Sequence, residues 1–301
     1  MMEAAIGIDI GGTNTKMGLV DMTGVVHKQL SFPTDSHLSF SDFVDRVDNK
    51  IRELLNDFSD YQIQGVGVGA PNANPMTGMI QNPPNLKWGT VPLKAALEAK
   101  LSRPVWIDND ANVAAMAEGI WGVAQGRKNF LVVTLGTGVG TGIIVDGKLL
   151  IGGNGIAGEG GHLVIIPNGR PCGCGGKGHL EAYASATGIE KTAIEVIGEK
   201  LSSKEVGLRF KSGDSKAHKV IDMTAQYLGQ GLATMVSILA PEMVVLAGGV
   251  SAIGNPFDQM VEKYMNEYVF PSFKGHTKMA FSKISAENGA VLGAASLVFG
   301  N

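Results

Sequence analysis

The sequence predicts an α/β fold made of two similar halves. Strand patterns alternate with helical patterns along the 301 residues, which is typical of α/β architecture. Each half also opens with two apolar strands that flank a glycine-rich turn, at Gly11-Gly12 in the first half and at 136–142 in the second. This repeated opening favours a duplicated fold with two lobes and a cleft between them.

The first half begins with strands and continues with alternating helices and strands. The predicted strands are, in chain order, Ala5–Ile10, Thr15–Asp21, Val25–Phe32, Gly65–Ala70 and Pro104–Ile107. Helices are predicted at Phe40–Asp57 and Pro92–Leu101, and a loop rich in Asn and Pro extends to about Lys87.

The second half repeats this order of elements. Its predicted strands are Phe130–Leu135, Gly142–Val145, Met243–Ala247 and Lys278–Ile284. Helical patterns occupy Ala182 to Leu239, Pro256–Tyr268 and Gly289–Phe299.

Composition excludes several classes of protein. The net charge of -3 offers no electrostatic footprint for nucleic acid or an anionic membrane. No apolar run is long and glycine-free enough to span a bilayer, and the N-terminus lacks the basic region and cleavage site of a signal peptide. The two cysteines stand at i and i+2, a spacing poorly suited to a disulfide. We therefore expect a cytoplasmic protein with no nucleic-acid or membrane partner.

The segment Gly158–Glu181 has the composition of a four-coordinate zinc site. It contains both cysteines of the chain, and a histidine stands on either side of them, which gives the ligand set His162, Cys172, Cys174 and His179. Glu159 and Glu181 flank these ligands, and a purely structural metal would not need two carboxylates so close. The segment is therefore predicted to be a zinc-stiffened platform that binds a small polar substrate.

Three glycine-rich turns stand at predicted strand ends, namely Asp9–Lys16, Leu135–Gly142 and Leu246–Val250. Such turns let backbone N–H groups approach phosphate oxygens, and threonine hydroxyls add donors. None fits the dinucleotide or P-loop fingerprint. Any single turn could equally be an ordinary hairpin. Asp9, at the tip of the first, is suited to hold Mg²⁺ against nucleotide phosphates.

With these motifs together, the chain resembles the ROK family of bacterial sugar kinases, and most closely its glucokinases. Asp108–Asn112 (DNDAN) is similar to the family's catalytic E-N-D-A-N, and Gly158–Glu181 matches its G-E-x-G-H…C-x-C-G-x-x-G-C-x-E signature. The resemblance covers essentially the whole chain. It implies a duplicated actin-like ATPase fold of the sugar kinase/Hsp70 type, usually as a homodimer. The implied lobes are residues 1–110, completed by a C-terminal helix at about 288–301, and residues 111–287 with the zinc site.

The resemblance also implies ATP-dependent phosphorylation of a hexose at its 6-hydroxyl, most closely D-glucose to glucose 6-phosphate. Asp110 would be the general base that accepts the proton of the attacking hydroxyl. The implied sugar-binding residues are Asn85, Asn109, Asp110, Glu159, His162 and Glu181. The implied ATP- and Mg²⁺-binding residues are Asp9, Gly11, Gly12, Thr13, Lys16, Gly136, Thr137, Gly138, Gly248 and Gly249.

Three residues depart from the family pattern. His179 replaces the third cysteine of the signature, Asn72 stands where glycine is usual, and Asp108 replaces glutamate. Two thiolates and two neutral imidazoles balance the charge of Zn²⁺. We expect zinc to be retained as a structural ion. On acidification it should be lost more readily than from a site with the usual third cysteine, because an imidazole must shed its proton to bind.

Other interpretations remain open at this stage. Taken alone, Asp110 could be the N-cap of a helix that begins at Ala111. Glu181 could be a solvated charge at a helix start, and Asn85 could be a turn residue. The substrate could instead be an N-acetylhexosamine, N-acetylmannosamine or N-acetylglucosamine, since those kinases share nearly every motif. A non-catalytic, sugar-sensing regulator is a further alternative. A repressor is disfavoured, because the first turn begins within ten residues of the start and leaves no room for a helix-turn-helix.

Overall fold

The computed structural model describes residues 2–83 and 85–300. Its strands are β1 (Met2–Ile10), β2 (Asn14–Asp21), β3 (Val26–Pro33), β4 (Tyr61–Gly69), β5 (Ala73–Asn74), β6 (Met79–Ile80), β7 (Val105–Asp108), β8 (Phe130–Leu135), β9 (Val139–Val145), β10 (Lys148–Leu149), β11 (Met243–Ala247) and β12 (Lys278–Phe281). Its α-helices are α1 (Phe40–Leu55), α2 (Leu93–Leu101), α3 (Asp110–Ile120), α4 (Glu181–Ala184), α5 (Ala186–Ile197), α6 (Ser203–Lys211), α7 (Ser215–Leu239), α8 (Phe257–Tyr268) and α9 (Gly289–Phe299). None of these helices is both long and apolar enough to cross a membrane.

The chain forms two compact units. Unit 1 consists of Met1–Gln125, Ile151–Ala157 and Ile284–Asn301, and unit 2 consists of Gly126–Leu150 and Gly158–Lys283. Helix α3, which the predicted boundary after residue 110 assigns to the second lobe, belongs to unit 1 because it packs against α9. The boundary between compact units therefore follows α3 rather than preceding it.

Unit 1 is built on a five-stranded sheet in the order β3-β2-β1-β4-β7. The first three strands form antiparallel hairpins, and β1, β4 and β7 run parallel. The register aligns Asp9 with Gly69 on β4 and Gly69 with Asp108 on β7. Because parallel strands end at the same edge, both aspartates lie at the carboxyl-terminal edge of this sheet.

Unit 2 repeats this topology with β10-β9-β8-β11-β12. The hairpins β10-β9-β8 are antiparallel, and β8, β11 and β12 are parallel. The predicted duplication is therefore confirmed strand by strand. Strand β9 begins at Val139, earlier than predicted, because the ladder with β8 already closes at Leu135–Val139. Gly140 and Gly142 are consequently strand residues, and the turn itself is Gly136-Thr137-Gly138.

Each unit has its own apolar core. In unit 1 the core side chains lie between the sheet and helices α1 and α2, with α9 against the opposite face. Gly67 on β4 permits this close approach of α9, because a Cβ at this position would clash with the backbone carbonyl oxygen of Ala294, only 1.8 Å away. In unit 2 the core is formed by the sheet and helices α4 to α8, with the 25-residue α7 through its centre. The glycine turns and acids at the sheet edges are thus carried on rigid, buried strands.

Candidate active site

The first glycine turn of unit 1 is fixed by backbone and threonine hydrogen bonds. Gly11 N–H donates to the Asn14 carbonyl at 3.0 Å, and Thr34 N–H donates to the Thr13 carbonyl at 2.8 Å. The Thr34 hydroxyl donates to the Gly11 carbonyl at 2.7 Å. Gly12 and Thr13 are exposed at the tip, so their N–H groups are accessible to a ligand. Lys16 follows on β2, directly opposite Asp9 in the ladder.

Asp9 is an acid in an unfavourable electrostatic environment. Burial and the charge of Asp110 together raise its pKa to about 6, although the charge of Lys16 opposes both effects. Asp110 follows Asp108 by two residues, and Asp108 is aligned with Asp9 through Gly69, so Asp9 and Asp110 stand at the same edge of the sheet. Carboxylates with high proton affinity at a strand edge form a donor set suited to a hard cation such as Mg²⁺.

The DNDAN segment links the end of β7 to the start of α3. Asn109 is the N-cap, because its side-chain oxygen accepts from the Asn112 N–H at 2.8 Å. Asp110 is the first helical residue and is exposed. The capping role considered for Asp110 therefore belongs to Asn109, and the Asp110 carboxylate stands at the positive end of the helix dipole.

Asp108 and Asn112 form a buried pair beneath this turn. The Asn112 amide donates to Asp108 Oδ1 at 2.8 Å, and the Asn109 N–H donates to the same oxygen at 2.7 Å. Burial raises the pKa of Asp108 to about 6 although both hydrogen bonds oppose the rise. Within the described residues, Asn112 Oδ1 is buried and lacks a hydrogen-bond partner. Asp108 thus supports the turn from below, whereas Asp110 faces outward.

Asn85 lies against the first glycine turn. A Cβ on Gly12 would lie 2.7 Å from the Asn85 Cβ, so only glycine at this position allows the two segments to meet. Asn85 is exposed. Unit 1 therefore brings together all the residues predicted in it to bind ligand, namely Asp9, Gly11, Gly12, Thr13, Lys16, Asn85, Asn109 and Asp110.

The second and third glycine turns meet at the corresponding edge of the unit 2 sheet. Strands β8 and β11 are parallel neighbours, and Thr134 is aligned with Ala247. Gly248, with φ of 91°, packs directly on the end of β8, since a Cβ there would lie 2.6 Å from the Leu135 carbonyl. Gly136 and Gly249 face open space. The two turns thus leave room beside them for a ligand.

Glu181 contacts the second glycine turn rather than standing as a free surface charge. Its Oε2 accepts from the Val139 N–H at 3.1 Å, and a Cβ on Gly138 would collide with that oxygen. Its Oε1 lies 3.3 Å from the Cys172 sulfur. One carboxylate therefore connects the turn at 136–138 to the cysteine segment, a contact that sequence reasoning did not anticipate.

The four predicted zinc ligands form a cluster in unit 2. Each of the four residues offers one ligand atom, and these four atoms all lie within 4.8 Å of one another; the residues are His162, Cys172, Cys174 and His179. Cys172 Sγ lies 3.8 Å from His162 Nδ1, and Cys174 Sγ lies 3.1 Å from His179 Nδ1. Neighbouring ligands around tetrahedral zinc are separated by roughly 3.5–3.8 Å. The donor set and its spacing therefore fit a structural zinc ion.

Backbone pairing preforms the ligand loop. Cys172 N–H donates to the Gly176 carbonyl at 2.9 Å, and Gly178 N–H donates to the Arg170 carbonyl at 2.9 Å. A β-bridge joins Val164 to His179 and brings the two halves of the ligand set together. The loop geometry thus arises from main-chain hydrogen bonds as well as from its ligand side chains.

Arg170 anchors this loop and is a residue that sequence reasoning missed. Its Nε donates to Glu195 Oε1 at 3.1 Å, and its guanidinium lies 4.7 Å from the centre of the Tyr183 ring. Its backbone N–H donates to the Tyr183 hydroxyl at 2.7 Å, and its Nη1 donates to Thr192 Oγ1 at 3.0 Å. Nothing in the local sequence around Asn168-Gly169-Arg170 indicates this role, because its partners lie 12 to 25 residues away.

Glu159 and His162 flank a short 3₁₀ turn at 160–162: Glu159 immediately precedes the turn, and His162, one of the four predicted zinc ligands, is its last residue. His162 Nε2 lies 3.7 Å from Glu159 Oε2, while Nδ1 faces Cys172. The Glu159 side chain is 61% exposed. Buried Thr141 holds this turn, since its hydroxyl donates to the Gly158 carbonyl and accepts from the Gly160 N–H. Glu159 is thereby presented to solvent from a fixed backbone.

Comparison with known proteins agrees with this geometry. The sequence pattern of the ROK family matches residues 5–300. A glucokinase from Halalkalibacterium halodurans is 35% identical over 308 residues, which cover 96% of this chain and 93% of that protein. Among solved structures, the ROK hexokinase from Thermus thermophilus has a TM-score of 0.85 at 29% identity, covering 97% of both chains.

A second similar structure is the ROK family glucokinase from Streptomyces griseus in complex with glucose and AMPPNP. It has a TM-score of 0.81 at 29% identity, and the match covers 98% of both chains. The two repeated sheets are those of the actin-like ATPase fold of these sugar kinases. The resemblance seen in the sequence motifs is therefore confirmed, and the chain belongs to the ROK family.

Proposed function

We propose that the protein transfers the γ-phosphoryl group of ATP to the 6-hydroxyl of a hexose, with D-glucose as the substrate. The observation that carries the proposal is the exposed Asp110 carboxylate at the start of α3, at the same edge of the unit 1 sheet as the half-buried Asp9. The relatives named as glucokinases, and the related structure with glucose and AMPPNP, support hexose and ATP as the ligands.

In this reaction Asp110 acts as the general base. The sugar hydroxyl loses its proton to the Asp110 carboxylate as its oxygen forms a bond to the γ-phosphorus, and the bond from that phosphorus to the leaving ADP oxygen breaks. An ordinary carboxylate suffices, because phosphoryl transfer depends mainly on positioning and charge neutralisation. The exposure of Asp110, in contrast to buried Asp108, supports this division of roles.

Nucleotide binding is assigned to the glycine turns. Gly12, Thr13 and Thr137 are exposed residues whose N–H groups can donate to phosphate oxygens, and Lys16 adds a positive charge. Asp9 would hold Mg²⁺, which neutralises charge on the phosphates. Gly248 and Gly249 are assigned to the adenosine side. The set is completed by Gly11, Gly136 and Gly138.

Sugar binding is assigned to Asn85, Asn109, Asp110, Glu159, His162 and Glu181. Carboxylates and amides suit a hexose, because they accept from or donate to adjacent hydroxyl groups. Zinc would bind His162 Nδ1, Cys172, Cys174 and His179, and its structural role would fix the orientation of the His162 ring. The free edge of that ring, Nε2, faces Glu159, which supports a joint role for the two side chains.

The test is ATP consumption with a panel of hexoses and N-acetylhexosamines. Glucose is expected to give the highest kcat/KM, and Asp110→Asn is expected to lower kcat about 10²- to 10⁴-fold with an unchanged circular dichroism spectrum. Higher kcat/KM with N-acetylmannosamine or N-acetylglucosamine would assign the protein to that class. No turnover with any sugar would defeat the kinase proposal in favour of a sensor, and normal activity of Asp110→Asn would defeat the base assignment.

A homodimer and a cytoplasmic location remain part of this proposal. Sedimentation equilibrium of the purified chain tests the first, and fractionation of the source cells tests the second.

A further inference from the structure

The loop Ile151–Ala157 belongs to unit 1, although the chain on both sides of it belongs to unit 2. Its ends are joined, since the Ala157 N–H donates to the Ile151 carbonyl at 3.2 Å. After Ala157 the chain returns to unit 2 at Gly158, and the next residue is Glu159. The backbone of a proposed sugar-binding residue therefore begins two residues after a loop that is held by the other unit.

Asn74 is the side chain that holds this loop. It is 3% exposed, and its Nδ2 donates to the Asn154 carbonyl at 2.8 Å. Its Oδ1 accepts from the N–H groups of Met76 and Thr77 at 3.0 and 3.2 Å. Two backbone donors thus fix the orientation of the amide, which leaves Nδ2 as the only group of Asn74 that can face Asn154.

The loop is shaped to fit Asn74. Gly155 is buried with φ of 78°, and a Cβ there would lie 2.4 Å from Asn74 Oδ1. A side chain at this position is excluded both by the backbone conformation and by the contact. Asn74 and Gly155 therefore form a close-packed attachment rather than a chance surface contact.

Thr141 holds the chain just after it passes from unit 1 to unit 2 at Gly158. Its hydroxyl bonds the Gly158 carbonyl and the Gly160 N–H, both within unit 2. Between Ala157 and Glu159 lies only Gly158, with φ of 95°. Two residues span at most about 7 Å, so the position of Ala157 strongly limits that of Glu159.

We propose that Asn74 is a positioning residue for hexose binding, which acts by fixing the 151–157 loop and, through it, the backbone of Glu159. The inference rests on the proposed sugar kinase function. Loss of the Asn74–Asn154 hydrogen bond loosens the loop that precedes Glu159, although the contacts of Thr141 and the Ala157–Ile151 hydrogen bond remain. The Glu159 carboxylate is then less well ordered before sugar binds. Such a loss weakens ground-state binding and leaves the chemical step unchanged.

The decisive variant is Asn74→Asp. A carboxylate has nearly the same shape and keeps both acceptor contacts to Met76 and Thr77, but it cannot donate to the Asn154 carbonyl. Asn266→Asp is the matched control, because Asn266 also accepts from a backbone N–H, that of Gly275, and donates to a carbonyl, that of Glu262. It lies on α8 in unit 2, away from the proposed site.

Steady-state kinetics and hydrogen exchange are measured on the wild type and both variants. For Asn74→Asp we expect KM for the hexose to rise about fivefold, KM for ATP and kcat to stay within about twofold, and amides 152–157 to exchange about fivefold faster. Asn266→Asp is expected to match the wild type in the three kinetic constants and in exchange of the loop.

Each other outcome overturns part of the reasoning. Unchanged exchange of amides 152–157 in Asn74→Asp means that the bond does not hold the loop. Faster exchange with unchanged KM for the hexose means that the loop does not position Glu159. If kcat falls and KM rises for both the hexose and ATP to a similar extent, the substitution disturbs the whole active site. That result contradicts a role of Asn74 confined to sugar binding. A wild type that phosphorylates no sugar defeats the proposed function, and the role of Asn74 in sugar binding with it, while exchange still reports on the attachment.

Discussion

Replacement of Asp9 by asparagine is expected to make the protein more stable and less active. Burial and the charge of Asp110 raise the pKa of Asp9 from 3.8 to about 6. The folded protein therefore binds the Asp9 proton more tightly than the unfolded chain does, and the ionised form present at pH 7.5 is destabilising. Asparagine is a neutral isostere of the protonated form, so Asp9→Asn removes a charge that the fold disfavours at neutral pH.

The size and sign of the effect follow from the two pKa values. Each unit of pKa difference corresponds to about 1.4 kcal/mol, so ionised Asp9 costs about 3 kcal/mol of unfolding free energy at pH 7.5. Because the folded-state pKa is the higher one, this cost is relieved as pH falls from above 6 towards 4. The advantage of Asp9→Asn is thus expected to shrink to about 1.5 kcal/mol at pH 5.

Urea unfolding of the wild type and the variant, in magnesium-free buffer at pH 7.5 and pH 5, measures this difference directly. Asp108 titrates in the same range, but its contribution cancels because both proteins contain it. Asp60→Asn, at an exposed position, is the control and should change stability by less than about 0.5 kcal/mol. An Asp9→Asn variant that is less stable than the wild type at pH 7.5, or equally stabilised at both pH values, would refute the argument from burial.

Three further predictions concern unit 2. Native protein should contain one zinc per chain. Because an imidazole binds metal only after losing its proton, this zinc should be released at a higher pH than the zinc of the His179→Cys variant. Titration with a chromogenic chelator along a pH series measures the zinc content and the pH of release. Gly138→Ala should raise KM for ATP about tenfold or more without unfolding the protein, because the new Cβ displaces the Glu181 carboxylate from the turn. Arg170→Lys should lower the unfolding free energy by about 1–3 kcal/mol, because lysine can make neither the two-bond pair with Glu195 nor planar stacking on Tyr183. Unchanged stability in urea would show that the anchor is dispensable.

The features that the sequence predicted well are those encoded locally. Cys172, Cys174 and His179 lie within eight residues, so their spacing alone indicates a metal site. Strand ends such as Ile10 and Ala247 were predictable because an apolar run stops at a pair of glycines. Both kinds of signal depend on the order of neighbouring residues, which a single sequence contains.

The features that the sequence could not predict are side-chain hydrogen bonds between distant segments. Asn74 and Asn154 are 80 residues apart, and Glu181 and Val139 are 42 apart. Such pairs leave no periodic pattern, since any polar residue in either loop would look equally suitable before the sheets bring them together. The capping role of Asn109 was missed for a smaller reason: asparagine and aspartate are both favoured N-caps, and here they are adjacent.

The repeated topology explains why the acids mark the functional edge of unit 1. Asp9 occupies the second-last rung of the β1–β2 ladder, opposite Lys16, and Thr134 occupies the same rung of β8–β9, opposite Gly140. The sheet of unit 2 forms with the neutral Thr134 at this position, so the charge on Asp9 is not needed to build the same sheet in unit 1. A residue that costs stability where a neutral one suffices is expected to serve binding or catalysis. The contrast between the two halves of the duplication thus supports cation and phosphate chemistry at Asp9 independently of its motif.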